Sequence, residues 1–132
     1  DYRQEAEAAI SAAGLSEAIK AVGHCDDMPA AYLLADIAML PTLVPESFGR
    51  AAVEPQAMGR PVLASNHGGV TETVLPGKTG WLVKVGDADA WAQAMAKAID
   101  GGAEKRAAMG VQAAKRARPL YSNDAMSARE GR

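Results

Sequence analysis

A single cysteine, Cys25, leaves this 132-residue chain without an intrachain disulfide. With its neighbour His24 it makes too small a set to cage a metal. A lone thiol fits the reducing cytoplasm, the expected compartment. Neither sign of charge is in excess: 14 Lys and Arg stand against 16 Asp and Glu, a net charge of -2, which excludes a strong electrostatic pull toward nucleic acid. No apolar run approaches the ~20 residues that span a bilayer, and the first residues carry no signal-peptide pattern. No internal repeat or low-complexity stretch stands out. What remains, at 48% apolar and 23% charged residues, is the balance of one soluble domain large enough to bury a core.

Short apolar runs alternate with helical stretches. Residues 1–13 are rich in Ala and Glu and are closed by Gly14, and the abrupt start at Asp1, already within helix, is read as the mark of a fragment. A β-like run at 19–22 ends at Gly23, and a loop leads to a helix over 29–35 with Pro29 near its first position. The run 37–40 stops at Pro41. An Ala-rich helix over 50–58 precedes a strand at 61–65, a turn at His67-Gly68-Gly69 and a brief helix at 70–75. A fourth strand at 80–83 and helices at 87–100 and 103–118 follow. The tail, 119–132, lacks periodicity and is expected to be loose. Unbroken apolar runs such as Ile37-Ala38-Met39-Leu40 and Pro61-Val62-Leu63-Ala64 suit buried parallel strands, so the pattern predicts an α/β domain, 1–118, with a doubly wound, Rossmann-like parallel sheet. Four strands are fewer than the six such a domain usually carries, and the first βαβ portion is expected to be absent.

The chemistry concentrates in Pro45-Glu46-Ser47-Phe48-Gly49-Arg50-Ala51-Ala52-Val53-Glu54. Two carboxylates stand eight positions apart, across a glycine and a helix start, just past the C-terminal end of a strand, where open α/β sheets bind ligands. A fully helical span would separate them by ~12 Å, and the loop shortens or redirects that distance. Carboxylates accept hydrogen bonds from the vicinal hydroxyls of a sugar. Gly49 allows close backbone approach, and the exposed N–H groups at the helix start favour an anion such as a diphosphate. Pro55, directly after Glu54, removes one N–H and crowds the carbonyl of Ala51, at ~3 kcal/mol or more in a helix interior. A late start or a bend of the helix would relieve much of that.

The stretch 45–69 resembles the signature of the family 4 glycosyltransferases of the GT-B fold: a Glu, seven residues and a second Glu, an Ala-rich helix, Gly-x-Pro-Val, a strand and a Gly-Gly turn. Here these are Glu46, Glu54, Ala57-Met58-Gly59, Pro61-Val62 and Gly68-Gly69, and Glu72, Gly77-Lys78-Thr79-Gly80 and Leu82-Val83 keep the family's spacing downstream. The likeness covers about residues 14–99 and implies the C-terminal, donor-binding half of a retaining enzyme that moves a hexose from a nucleotide diphosphate sugar to an acceptor hydroxyl. No cofactor and no metal are implied. Glu46 inherits contact with the donor hexose and is the catalytic candidate. Glu54 inherits the ribose hydroxyls. Ser47, Phe48, Gly49 and Arg50 complete the donor set, with the amides of Phe48 and Gly49 on the sugar and diphosphate. The loop with Gly23, His24, Cys25 and Met28 matches the stretch that meets the base. The family's basic pair for the diphosphate and its N-terminal acceptor domain have no counterpart here, so the isolated chain is expected to be inactive. Pro55 departs from the family's usual alanine.

Blander readings compete residue by residue. His67 in a turn, His24-Cys25 as a chance pair and a solvent-facing Arg50 need no function. Trp81 and Trp91 lie far from the motif and read as core or helix-face residues. Lys105, Arg106, Lys115, Arg116 and Arg118 form a cationic helix face, ordinarily solvated, that suits an anionic membrane surface at the inner side of a membrane. The competing function classes are a non-catalytic nucleotide-sugar-binding module and a regulatory α/β domain with an accidental Glu pair.

Overall fold

A computed structural model describes residues 2–22, 25–45 and 50–130. In chain order they form α1 (Tyr2–Ala12), α2 (Met28–Leu34), β1 (Ala38–Leu40), α3 (Arg50–Ala57), β2 (Val62–Ser65), α4 (Val70–Thr73), β3 (Gly80–Val83), α5 (Ala88–Asp100) and α6 (Ala103–Glu130). The strands pair in parallel in the order β1-β2-β3, with Leu40 opposite Ala64 and Ser65 opposite Val83. Period-2 alternation sends β2's side chains to two cores. Val62 and Ala64 pack with Ala52 of α3 and with Val70 and Val74 on one face. Leu63 packs with Val83 and Ala98 on the other, beside Trp81, Trp91 and Ala94. Both faces of the sheet are therefore covered, the three-layer α/β arrangement that unbroken apolar strands require. Both tryptophans belong to this second core.

Two expectations meet a different outcome. Residues 19–22 form no strand: a strand exists only through its ladder, this run has no strand partner among the described residues, and Ile19 and Val22 lie exposed. The described sheet has three strands, not four. The stretch after Arg118, read as a tail, continues α6 to Glu130 with Pro119 inside the helix. One missing N–H interrupts a long ladder without ending it.

Pro55 also sits inside its helix, fully buried, and α3 ends two residues later. The end is a Schellman closure: Arg60 N–H donates to the Pro55 carbonyl at 3.0 Å and Gly59 N–H to that of Gln56 at 2.9 Å. Gly59 makes the turn possible by taking φ +80.

Arginines finish the other carbonyl ends. Arg60 donates to the carbonyls of Tyr32 and Leu33 at the end of α2. From α6, Arg106 reaches Ala98 and Ile99 of α5, Arg116 reaches Glu72 of α4, and Arg118 reaches Ala57 of α3. Each guanidinium adds a donor at the last carbonyls of a helix, beside the local backbone bonds that Tyr32 and Ile99 already accept, and opposes the negative end of its dipole. Three members of the cationic face thus work inside the fold. Replacing Arg60 by Met strips two charge-assisted bonds from α2, and an unfolding free energy lower by about 1–2 kcal/mol in denaturant titration is the expected result.

Candidate functional site

Parallel strands alternating with helices put the starts of α2, α3, α4 and α5 at the edge where the strands end, opposite the carbonyl ends held by arginines. Two of these starts are closed by their own side chains: the Asp27 carboxylate accepts from Ala30 N–H at 3.1 Å and Asp87 from Ala90 N–H at 2.9 Å. α4 differs, starting at Gly69 with no side-chain cap. α3 starts at Arg50, directly after the glutamate-bearing loop.

Three loops meet at this edge. Thr42, two residues beyond β1, hydrogen-bonds through Oγ1 with Nε2 of His67, two residues beyond β2, at 3.0 Å. Asn66 N–H donates to the Val83 carbonyl at 2.8 Å, tying the β2 loop to the end of β3. Leu43 approaches Gly86, its Cδ2 3.9 Å from where a Cβ on that glycine would stand. His67, which needed no function as a turn residue, is half-buried and is the link between two loops. The signal for it was available: polar residues at the same distance past two adjacent parallel strands are brought side by side by the register.

Glu54 lies half-buried within α3. The helix divides its faces by its 3.6-residue period: Ala52 meets the sheet, and Val53 and Ala57 meet Ala117 of α6. Glu54 acts on Tyr32 of α2. Burial pushes the Tyr32 hydroxyl up from its ordinary range, and the negative field of Glu54 adds to the rise. The phenol therefore stays protonated, a neutral group beside a carboxylate. Tyr32 was not singled out by the sequence reading, because its nearness to Glu54 depends on how α2 packs against α3.

Of the other candidates, Arg50 is the first residue of α3, Met28 the first of α2 and partly exposed, and Cys25 a half-buried free thiol. Glu46, Ser47, Phe48 and Gly49, with Gly23 and His24, lie outside the described residues. Among the described residues two buried side-chain polar atoms lack a partner: Oε1 of Gln56, whose Nε2 donates to the Ala52 carbonyl at 2.8 Å, and Oγ of Ser65 at the end of β2. Among the described residues no group of three or more His, Cys, Asp or Glu could hold a metal, and no helix is long and apolar enough to cross a membrane.

A parallel sheet sandwiched by helices, with its loops joined at the strands' C-terminal edge and a half-buried glutamate on the helix behind them, defines the C-terminal half of a GT-B glycosyltransferase. The chain belongs to the group 1 glycosyl transferases, whose family model matches residues 1–116. It is 40% identical over 85 residues, 64% of its length, to an alpha-1,3/1,6-mannosyltransferase of Neurospora crassa, of which it spans 18%. Among solved structures, the sucrose-phosphate synthase of Thermosynechococcus elongatus matches with a TM-score of 0.85 at 30% identity, covering 98% of this chain and 33% of that one. HepE of Anabaena, in complex with UDP and glucose, matches with a TM-score of 0.82 at 27% identity, covering 98% and 37%.

Proposed function

We propose that this chain is the donor half of a retaining transferase that moves a hexose from a nucleoside diphosphate sugar to an acceptor hydroxyl. The observation that carries the reading is the placement of Glu54: a half-buried carboxylate one turn into α3, the helix that starts directly after the loop of Glu46 at the C-terminal edge of the sheet. The starts of α3 and of α4, the latter without a side-chain cap, supply N–H groups and positive dipole ends for a diphosphate. They also stabilise the charge that grows on the leaving diphosphate as the glycosidic bond breaks, so no metal is required of the residues here. Glu54 takes the ribose hydroxyls and Glu46 the hexose. The amides of Phe48 and Gly49 hold the sugar and diphosphate, with Ser47 and Arg50 beside them, and the loop from Gly23 to Met28, with His24 and Cys25, meets the base. The HepE complexes with UDP and with UDP-glucose support a donor of this chemical class. The acceptor is held by a further part of the whole protein, since transfer needs both substrates fixed in one cleft.

The test is a reaction of the full-length transferase with a panel of sugar nucleotides, the anomeric configuration of the product read by proton NMR. The expected product keeps the donor's configuration. An inverted product overturns the retaining assignment, and failure of every nucleoside diphosphate to bind overturns the donor assignment.

A further inference from the structure

The edge of the sheet opposite the donor site carries a cavity of about 410 Å³, between the turn that precedes β3 and one stripe of α6. Its charged lining is all of one sign: Lys78 on the turn, and Lys105 and Arg116 on α6, with no carboxylate. Its apolar lining is Leu75, Ala108 and Met109, the last almost fully buried. The α6 residues at 105, 108, 109 and 116 fall on one face at helical spacing and run ~16 Å along the axis.

The cations are presented by rigid elements. Leu75 N–H donates to the Thr79 hydroxyl at 2.9 Å, Lys78 and Thr79 N–H both donate to the Leu75 carbonyl at 3.0 Å, and Gly77 N–H donates to the Gly80 carbonyl at 2.8 Å. Lys78 therefore projects from a closed turn. Arg116 spends one Nη on the Glu72 carbonyl, which fixes the guanidinium and leaves its remaining N–H groups for other acceptors. The neighbouring cavity offers one lysine, Lys115, beside two helix-capping arginines, Arg60 and Arg118, where this one offers two lysines beside a single such arginine.

We infer that this cavity binds a phosphate ester carrying an apolar chain, the phosphoryl group meeting Lys78, Lys105 and Arg116 and the chain lying on Leu75, Ala108 and Met109. A phosphate matches convergent Lys and Arg donors. The apolar floor distinguishes an ester with a hydrocarbon group from inorganic phosphate, because pockets take most of their affinity from apolar lining and their orientation from a few polar groups. Such an ester reaches the protein either as the head of a membrane lipid or as a soluble alkyl phosphate.

Hexyl phosphate and inorganic phosphate are titrated into the full chain with methyl-labelled methionine, and binding is read from the Met109 methyl resonance. Hexyl phosphate is expected to shift it and to bind at least about fivefold more tightly than inorganic phosphate, on the transfer energy of a few buried methylenes. Lys78→Gln and Lys105→Gln, both at exposed positions, should each weaken binding about threefold to fivefold, the scale of an exposed ion pair. Lys115→Gln, an exposed cation of α6 outside this cavity, should leave it unchanged. Equal loss in Lys115→Gln and Lys105→Gln, equal affinity for the two phosphates, or a silent Met109 overturns the proposal. Vesicles of phosphatidylglycerol in phosphatidylcholine separate the sources. Cosedimentation that Lys78→Gln and Lys105→Gln both abolish assigns the site to a lipid head, and hexyl phosphate binding without cosedimentation assigns it to a soluble ester.

Discussion

Glu54→Ala in the full-length transferase is expected to weaken both the sugar nucleotide and the bare nucleoside diphosphate by tenfold or more. A carboxylate gripping a vicinal diol makes charge-assisted hydrogen bonds worth ~1.5–3 kcal/mol each, and ~1.4 kcal/mol is a factor of ten in affinity. Glu46→Ala is expected to leave the bare diphosphate untouched and to lower turnover with the intact donor, because its partner is the hexose. Calorimetric titration of both ligands into both variants separates the roles. Equal damage to diphosphate binding by the two substitutions refutes the division, and no effect from either refutes the site.

Gly110→Ala is expected to be strongly damaging for a single methyl. At this point α6 passes so close to the turn after α3 that a Cβ would collide with the Gly59 backbone oxygen, and backbone cannot swing aside as a side chain can. Alanine gains about 1 kcal/mol of helix propensity over glycine, but overpacking costs about 3 kcal/mol, so a net loss of roughly 2 kcal/mol follows. Gly101→Ala provides the contrast. Its φ of -65 is ordinary, and the nearest atom to a new Cβ is the Lys105 Cδ at 3.2 Å, the middle of a flexible side chain. Chemical denaturation should find Gly101→Ala within about 0.5 kcal/mol of the parent. Comparable losses at the two sites would show that α6 does not seat on Gly59.

The parts of this fold that were readable from sequence are those governed by near neighbours along the chain. The run 37–40 contains β1 and 61–65 contains β2, because an apolar run is a local property and a buried parallel strand needs little else. α3 begins at Arg50 as the Ala-rich pattern suggests, and its end at Ala57 is one residue earlier than expected. The run 19–22 has the same composition as a strand yet forms none, since the missing ingredient is a ladder partner that composition does not record. The arginine caps were unreadable for the same reason. Arg118 and the carbonyl it serves are 61 residues apart, and Arg116 and its carbonyl 44. The glutamate pair became meaningful only with the surrounding family signature, as carboxylates eight positions apart have no signal of their own. Thr42 and His67 lie between these cases: each is ordinary alone, and the strand register joins them.

The arginines of α6 also set an order of events. α3, α4 and α5 leave the ribosome with only their local backbone closures, and the guanidinium groups that complete their carbonyl ends arrive only when α6 has been synthesised. Until then each of these helices is shorter in energy than in length, and none is long enough to be stable alone in water. Their closure is therefore cooperative and late: one helix docking completes three others at once. A nascent chain arrested before α6 should present frayed helices to a protease, and one arrested after it should not.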